Sequence, residues 1–368
     1  MSAARPPEGA RTAVRSTEVV QCAADVFQES PNEVPADDAS PLVVAHDIAR
    51  TFDVSAPWLN RVIERQPRLL LHAVDGVSFT IPRGQTLALV GESGCGKSTV
   101  ARLLVGLYNP SRGHVRFAGK DVHATFASAQ GRALRQHIQM IFQDPYASLN
   151  PRWKVEGIVG EPLVEHGLVV EKGALRDRVG ELLRSVGLSP HDMAKYPHQF
   201  SGGQRQRISI ARALATAPEF LVCDEPTSAL DVSVQAQVLN IMKDLQRERG
   251  LTYLFISHNL AVVRHVSDQV GVMYLGRLVE IADKRTLFAT PRHPYTRMLL
   301  DAIPQLHATG RARTPVQGEV PNPLSPPTGC AFHPRCPHAN ARCSAERPKL
   351  QSFEGIQVAC HAVEENRI

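Results

Sequence analysis

Residues Gly91-Glu92-Ser93-Gly94-Cys95-Gly96-Lys97-Ser98 match the pattern G-x-x-x-x-G-K-[ST]. Glycines at this spacing let successive backbone N–H groups turn inward on phosphate oxygens, and a following helix N-terminus adds partial positive charge. Lys97 is placed to reach the β- and γ-phosphates of a nucleotide, Ser98 to offer a hydroxyl to Mg²⁺, and Thr99 to add a further phosphate contact. Cys95 fills a small loop position, where a thiol beside a helix N-terminus can be reactive. The competing reading is a glycine turn with an exposed lysine, and the flanking elements decide between the two.

A nucleotide–Mg²⁺ site also needs a carboxylate at the end of another buried strand. Phe220-Leu221-Val222-Cys223-Asp224-Glu225 supplies two. Asp224 suits the metal-linked role, and Glu225, on the other side of the alternating backbone, suits polarising an attacking water. A third group is Cys330, Cys336, Cys343 and Cys360, four of the seven cysteines within the last 39 positions. In a reducing compartment such clustering suggests metal binding before disulfides. The spacing C-x5-C-x6-C-x16-C nevertheless departs from paired zinc ligands and from common ferredoxin patterns.

The elements that must position these residues follow from periodicity. TLALV at 86–90 reads as a short buried strand, and Thr99–Leu107 as an apolar-periodic helix, so the glycine loop sits between strand and helix. Ile138–Phe142, Phe220–Asp224 and Leu251–Ser257 read as further buried strands separated by helices, which predicts a parallel α/β sheet with its site at the strand ends. Leu175, Val179, Leu182, Leu183 and Val186 form one core-facing helical stripe, and Val234, Val238, Ile241, Met242 and Leu245 another. Residues 1–41 carry clustered charges and prolines without apolar period and predict a disordered arm; the prolines of 304–327 predict an extended connection. The 368 residues, 43% hydrophobic, suit a globular chain of about two domains, and 41 Lys and Arg against 36 Asp and Glu leave a net charge of +5, too mild to imply nucleic acid. No apolar run approaches the ~20 residues of a membrane helix, and the N-terminus lacks the apolar core of a secretory signal.

Ser201-Gly202-Gly203-Gln204, preceded by Phe200 where leucine is usual, resembles the signature of ABC transporter ATPases. Gln143, Ser228-Ala229-Leu230-Asp231 and His258 follow that family's order, and the likeness spans about residues 42–283. The resemblance implies a P-loop NTPase core with an N-terminal antiparallel β part, an inserted helical subdomain at about 144–206, and a C-terminal extension over 284–368 carrying the cysteines. It implies dimeric ATPase domains in which Ser201–Gln204 and Asp231 act on the ATP of the partner, while Glu225, His258 and Gln143 are catalytic and Ser98, Asp224 and Gln143 hold Mg²⁺. Adenine stacking falls to Phe52, with Trp58 as the alternative; the 16 residues from Ala56 to Leu71 lengthen the usual spacing there.

FQDPYASLNPR at 142–152, YPHQFSGGQRQRISIARAL at 196–214 and His293-Pro294-Tyr295-Thr296 resemble the oligopeptide/dipeptide branch. That branch implies a heterodimer with a related ATPase chain, two membrane permease subunits, an extracytoplasmic binding protein, and a peripheral position on the cytoplasmic face of a bacterial inner membrane. It also implies a [4Fe–4S] cluster on Cys330, Cys336, Cys343 and Cys360; zinc with help from His333, His338 or His361, or free thiols, are the alternatives. Nickel, glutathione or another small solute stands as alternative cargo, and a non-transport ABC ATPase as an alternative role.

Overall fold

The computed structural model describes residues 40–65, 67–302 and 318–368. The arm expected over 1–41 lies almost wholly outside them, as do residues 304–317 of the proline-rich connection. In chain order the strands are β1 (Val43–Asp53), β2 (Leu70–Ile81), β3 (Thr86–Val90), β4 (Arg112–Phe117), β5 (Lys120–Asp121), β6 (Ile138–Ile141), β7 (Phe220–Asp224), β8 (Thr252–Ile256), β9 (Gln269–Tyr274), β10 (Arg277–Asp283), β11 (Gln351–Phe353) and β12 (Ile356–Val358). They form two sheets, one ordered β2-β1-β4-β5 and one ordered β11-β12-β10-β9-β3-β8-β7-β6.

Every residue of β3, β7 and β8 is buried, which is why these strands are continuous apolar runs rather than alternating ones. From β9 to β6 the larger sheet is parallel, with Leu87 opposite Leu254 and Leu254 opposite Val222. Beyond β9 it turns antiparallel, because Leu275 and Gly276 both adopt positive φ and close a two-residue hairpin into β10. β12 then pairs with β10, Glu280 opposite Val358, so the C-terminal segment continues the sheet of the phosphate loop.

The helix after β3 spans Lys97–Leu104, two residues earlier at its start and three earlier at its end than periodicity predicts. Gly96, at φ 103°, starts it, and Gly106, at φ 71°, lies in the left-handed conformation that ends helices. A Cβ on Gly96 would lie 2.2 Å from the Ala73 carbonyl oxygen of β2. Gly96→Ala is therefore expected to lower stability by about 2–3 kcal/mol through strain and clash. The measurement is urea unfolding, with a lower midpoint and an unchanged slope.

Between β6 and β7 the chain is helical, with helices at Val155–Glu165, Lys172–Ser185 and Gly202–Leu214. Val159, Leu163, Val179, Leu182, Leu183 and Val186 are buried together there, and Leu175 packs on them half-buried. The helix Val232–Arg249 buries Val238, Met242 and Leu245 on the same cluster. It is capped by Asp231 at its start and by left-handed Gly250 at its end. The lengthened spacing of 56–71 contains the helix Trp58–Glu64, and Asp53 pairs with Leu70 where the chain returns to the sheet.

Candidate nucleotide-binding site

The neighbouring strands β3, β8, β7 and β6 are parallel, so their C-terminal ends deliver the phosphate loop, His258, Asp224-Glu225 and Gln143 to one edge of the sheet. Lys97 is buried, yet its ammonium is satisfied: Nζ donates to the carbonyls of Gly91 at 2.7 Å and Glu92 at 3.0 Å, and lies 3.6 Å from Cys95 Sγ. Cys95 is itself buried, and that burial pushes its thiol pKa up, so the reactive thiolate considered from sequence does not apply.

Ser98 Oγ donates to Asp224 Oδ1 at 2.9 Å. Asp224 is buried at the end of β7, and desolvation raises its pKa against the opposing hydrogen bond from Ser98. A hydroxyl and a desolvated carboxylate side by side suit a hard divalent cation with oxygen ligands. The residues present fit Mg²⁺.

Glu225 is the meeting point of the three side chains assigned to catalysis. Gln143 Nε2 donates to Glu225 Oε2 at 3.0 Å, and His258 Nδ1 lies 3.2 Å from Glu225 Oε1. The side chain of Glu225 is 16% exposed and that of His258 61%, so the carboxylate is recessed behind an open ring. Glu225 also holds φ at +46°, a left-handed conformation unusual for a residue with a Cβ, and its N–H donates to the Ile256 carbonyl at 3.0 Å. Strain at the one residue that must aim a carboxylate out of the sheet edge is the sort of cost that persists where function selects it.

A cavity of about 1340 Å³ opens over this edge, lined by Phe52, Gly94, Lys97, Thr99, Gln143 and Glu225 among others. Phe52 borders it with its ring engaged edge-on by Tyr108 at 5.4 Å and by the Arg50 guanidinium at 4.9 Å. Trp58 is 71% exposed and does not line it. Ser201–Gln204 and Asp231 do not line it either. Ser201 instead caps the helix Gly202–Leu214 reciprocally with Gln204, and a Cβ on Gly203 would meet Val234 Cγ1 at 2.2 Å. Asp231 accepts from the Val234 N–H at 2.9 Å and the Ser233 hydroxyl at 2.8 Å, bonds that hold its pKa low.

Sequence reasoning did not single out the support beneath Glu92. The Glu92 N–H donates to the Tyr295 hydroxyl oxygen at 2.9 Å, and the Glu92 carboxylate takes both arms of Arg335 at 2.8 and 2.9 Å. Tyr295 belongs to the His293-Pro294-Tyr295-Thr296 motif, which offered a signal; nothing local marked Arg335. His293 starts the helix Pro294–Asp301, with Nδ1 accepting the Tyr295 N–H at 3.0 Å, while Glu280 accepts the His293 N–H at 2.9 Å.

Burial pushes the His293 pKa from 6.5 down to about 3. The unfolded chain then binds a proton that the folded chain refuses. The neutral ring's contribution is complete above pH ~6.5 and is lost as pH falls toward ~3, by about 1.4 kcal/mol per pH unit. The expected result is a steeper acid loss of stability in the wild type than in His293→Asn, read as the difference between their urea midpoints at pH 7 and about pH 5.5.

The expected [4Fe–4S] cluster is corrected. Among the described residues no group of three or more His, Cys, Asp or Glu side chains could hold a metal ion, and the relatives described below are named as ATP-binding proteins. The same finding removes the zinc alternative. The cysteines are free and pack as small apolar side chains: Cys330 and Cys336 against the cluster holding Tyr274, Tyr295 and Phe332, and Cys360 with Val358, Ala362 and Val363. Burial pushes the Cys330 thiol up to about 11 and raises those of Cys336 and Cys360, and Cys343 Sγ lies 3.9 Å from Arg367 Nη2. A cluster of cysteines in sequence looks the same whether it ligates or packs.

A glycine phosphate loop, a strand-end Asp-Glu pair and an inserted helical segment, on this sheet order, define an ATP-hydrolysing cassette of the ABC type. Residues 74–228 match the ABC transporter family, and residues 279–343 match the oligopeptide/dipeptide transporter C-terminal region. The chain is 49% identical to the di/tripeptide transport ATP-binding protein DppF of Pseudomonas aeruginosa over 88% of its own length and 98% of that protein. It is 48% identical to the dipeptide transport ATP-binding protein DppF of Escherichia coli over 89% and 96% of the two chains. Among solved structures, the post-hydrolysis dimer of the ATP-binding cassette MJ0796 with ADP and Pi superposes with a TM-score of 0.58 at 25% identity, covering 66% of this chain and 99% of that one. The chain belongs to the family of ATP-binding subunits of oligopeptide/dipeptide-type ABC transporters. No helix among its described residues is long and apolar enough to cross a membrane.

Proposed function

We propose that this chain hydrolyses ATP to drive import of di- and oligopeptides through a membrane permease. The observation that carries the reading is the convergence of Gln143 and His258 on Glu225, beside the Ser98–Asp224 pair. The phosphate loop from Gly91 to Thr99 binds the triphosphate, with Lys97 on the β- and γ-phosphates and Phe52 at the adenine. Ser98, Asp224 and Gln143 hold Mg²⁺, which supplies charge neutralisation to the phosphates when bound. Glu225 orients a water in line with the γ-phosphorus and takes its proton as the new P–O bond forms and the bond to the β–γ bridging oxygen breaks; ADP leaves with those electrons. His258 and Gln143 fix the carboxylate, and the exposed His258 ring reaches the γ-phosphate.

Ser201, Gly202, Gly203 and Gln204, with Asp231, address the nucleotide of a second, related ATPase subunit; their position outside this chain's own cavity supports that division. Two permease subunits and an extracytoplasmic binding protein complete the importer, placing the chain at the cytoplasmic face of the inner membrane. The peptide cargo is supported by the C-terminal match and by the names of the relatives. The test is uptake of labelled di- and tripeptides in cells lacking this chain, restored by the wild type. Uptake that survives the deletion, or loss confined to nickel or glutathione, overturns the cargo.

A further inference from the structure

All three polar groups of Glu92 are occupied, each in a different direction. Its carbonyl accepts Lys97 Nζ, its N–H donates to the Tyr295 hydroxyl, and its carboxylate receives the fork of Arg335. The last two partners lie beyond β10, Arg335 being 243 residues from Glu92 along the chain. The Arg335 side chain is 2% exposed, and its guanidinium sits 5.8 Å from the rings of Tyr274 and Phe332. It also reaches the Tyr274 hydroxyl at 3.4 Å. Tyr274, Tyr295 and Phe332 pack as one block, with ring centroids 4.7 to 5.4 Å apart. The block gives the guanidinium a rigid, water-poor seat.

We propose that Arg335 and Tyr295 are positioning residues for ATP binding: from the C-terminal segment they clamp Glu92, and through its carbonyl they set the phosphate loop and Lys97. The inference rests on the reading that ATP binds at this loop. Two physical effects point the same way. A loop residue pinned at backbone and side chain loses little conformational freedom when phosphate arrives, so less of the binding energy goes into ordering. A bidentate guanidinium also neutralises a carboxylate that would otherwise stand beside an incoming polyanion.

The second effect makes the clamp separable from simple packing. Arg335→Met, which keeps the apolar stem, is expected to raise the Kd for MgATP roughly tenfold, inside the ~5–150-fold span of typical coupling between sites. KM is expected to rise with it more than kcat falls. The double variant Arg335→Met/Glu92→Gln removes both charges and is expected to recover to within about threefold of wild type. Tyr295→Phe, which loses only a hydroxyl, is expected to weaken binding by about threefold and serves if the arginine variant does not fold.

Binding is read by titration of a fluorescent ATP analogue with Mg²⁺, alongside nucleotide-free melting. Wild-type affinity in both single variants overturns the clamp, as does a loss in Arg335→Met that Glu92→Gln leaves unrelieved. A wild-type chain that binds no MgATP overturns the nucleotide reading itself and the clamp with it.

Discussion

Glu225→Gln is expected to bind MgATP with near wild-type affinity while turning over about 10²–10⁴ times more slowly, the span that a positioned general base contributes. The substitution preserves shape and most hydrogen bonding. A glutamine at this position can turn its carbonyl oxygen toward Gln143 Nε2 and its NH₂ toward His258 Nδ1, the two partners that hold the carboxylate at 3.0 and 3.2 Å. The left-handed backbone at φ +46° costs Gln as much as Glu, so the folded state is not expected to weaken. Only the capacity to take a proton from water is gone. Phosphate release under saturating MgATP, set against equilibrium binding, measures the split. Hydrolysis at the wild-type rate would remove Glu225 from the mechanism.

How far the sequence reaches can be seen at this same edge. β3 and β7 are legible to the residue because a strand buried on both faces must be a short apolar run, and TLALV and FLVCD are little else. The phosphate loop is legible because its spacing is dictated by backbone geometry. The capping role of Asp231 at the start of the helix Val232–Arg249 was not read from the sequence, although an Asp just before an apolar-periodic run is a local signal of it. The strands β11 and β12 were illegible for a different reason: three residues each carry no periodicity, and β12, which pairs with β11 on one side, meets β10 on the other across about 77 positions of chain. Arg335 was invisible on the same ground, since its partner Glu92 lies 243 residues away and an arginine in AFHPRCP declares nothing until Tyr274 and Phe332 enclose it. The cysteines mislead because burial as small apolar groups and ligation leave one composition.

The second large effect concerns Lys97. Lys97→Met is expected to weaken MgATP binding about a hundredfold or more, with the folded chain retained. In the wild type Lys97 is 6% exposed and its ammonium is satisfied by the carbonyls of Gly91 and Glu92. A cation kept desolvated in a glycine loop is worth far more to a polyphosphate than one in water, because the same charge acts through a lower dielectric. Methionine matches the length of the buried lysine stem and removes only its charge and donors, so the helix that also buries Val100 and Leu104 is expected to stay folded. It takes a donor from the Gly91 carbonyl and leaves the Glu92 carbonyl with the Cys95 N–H at 3.3 Å, an unfavourable term of about 1–3 kcal/mol that water at the loop mouth can relieve in part. The loss in binding should exceed that loss in stability, because the phosphates lose their only buried cation among the loop residues while the fold loses one hydrogen-bonded side chain. Isothermal titration with MgATP beside urea unfolding separates the two. Equal losses in affinity and stability would mean that Lys97 serves the loop's shape and not its charge. Arginine at the same position tests the remaining alternative: it restores charge but not the compact point donor, and its planar fork cannot address both carbonyls from that stem. Binding recovered by Lys97→Arg would show that charge alone suffices; binding still lost would fix the requirement on an ammonium at this depth.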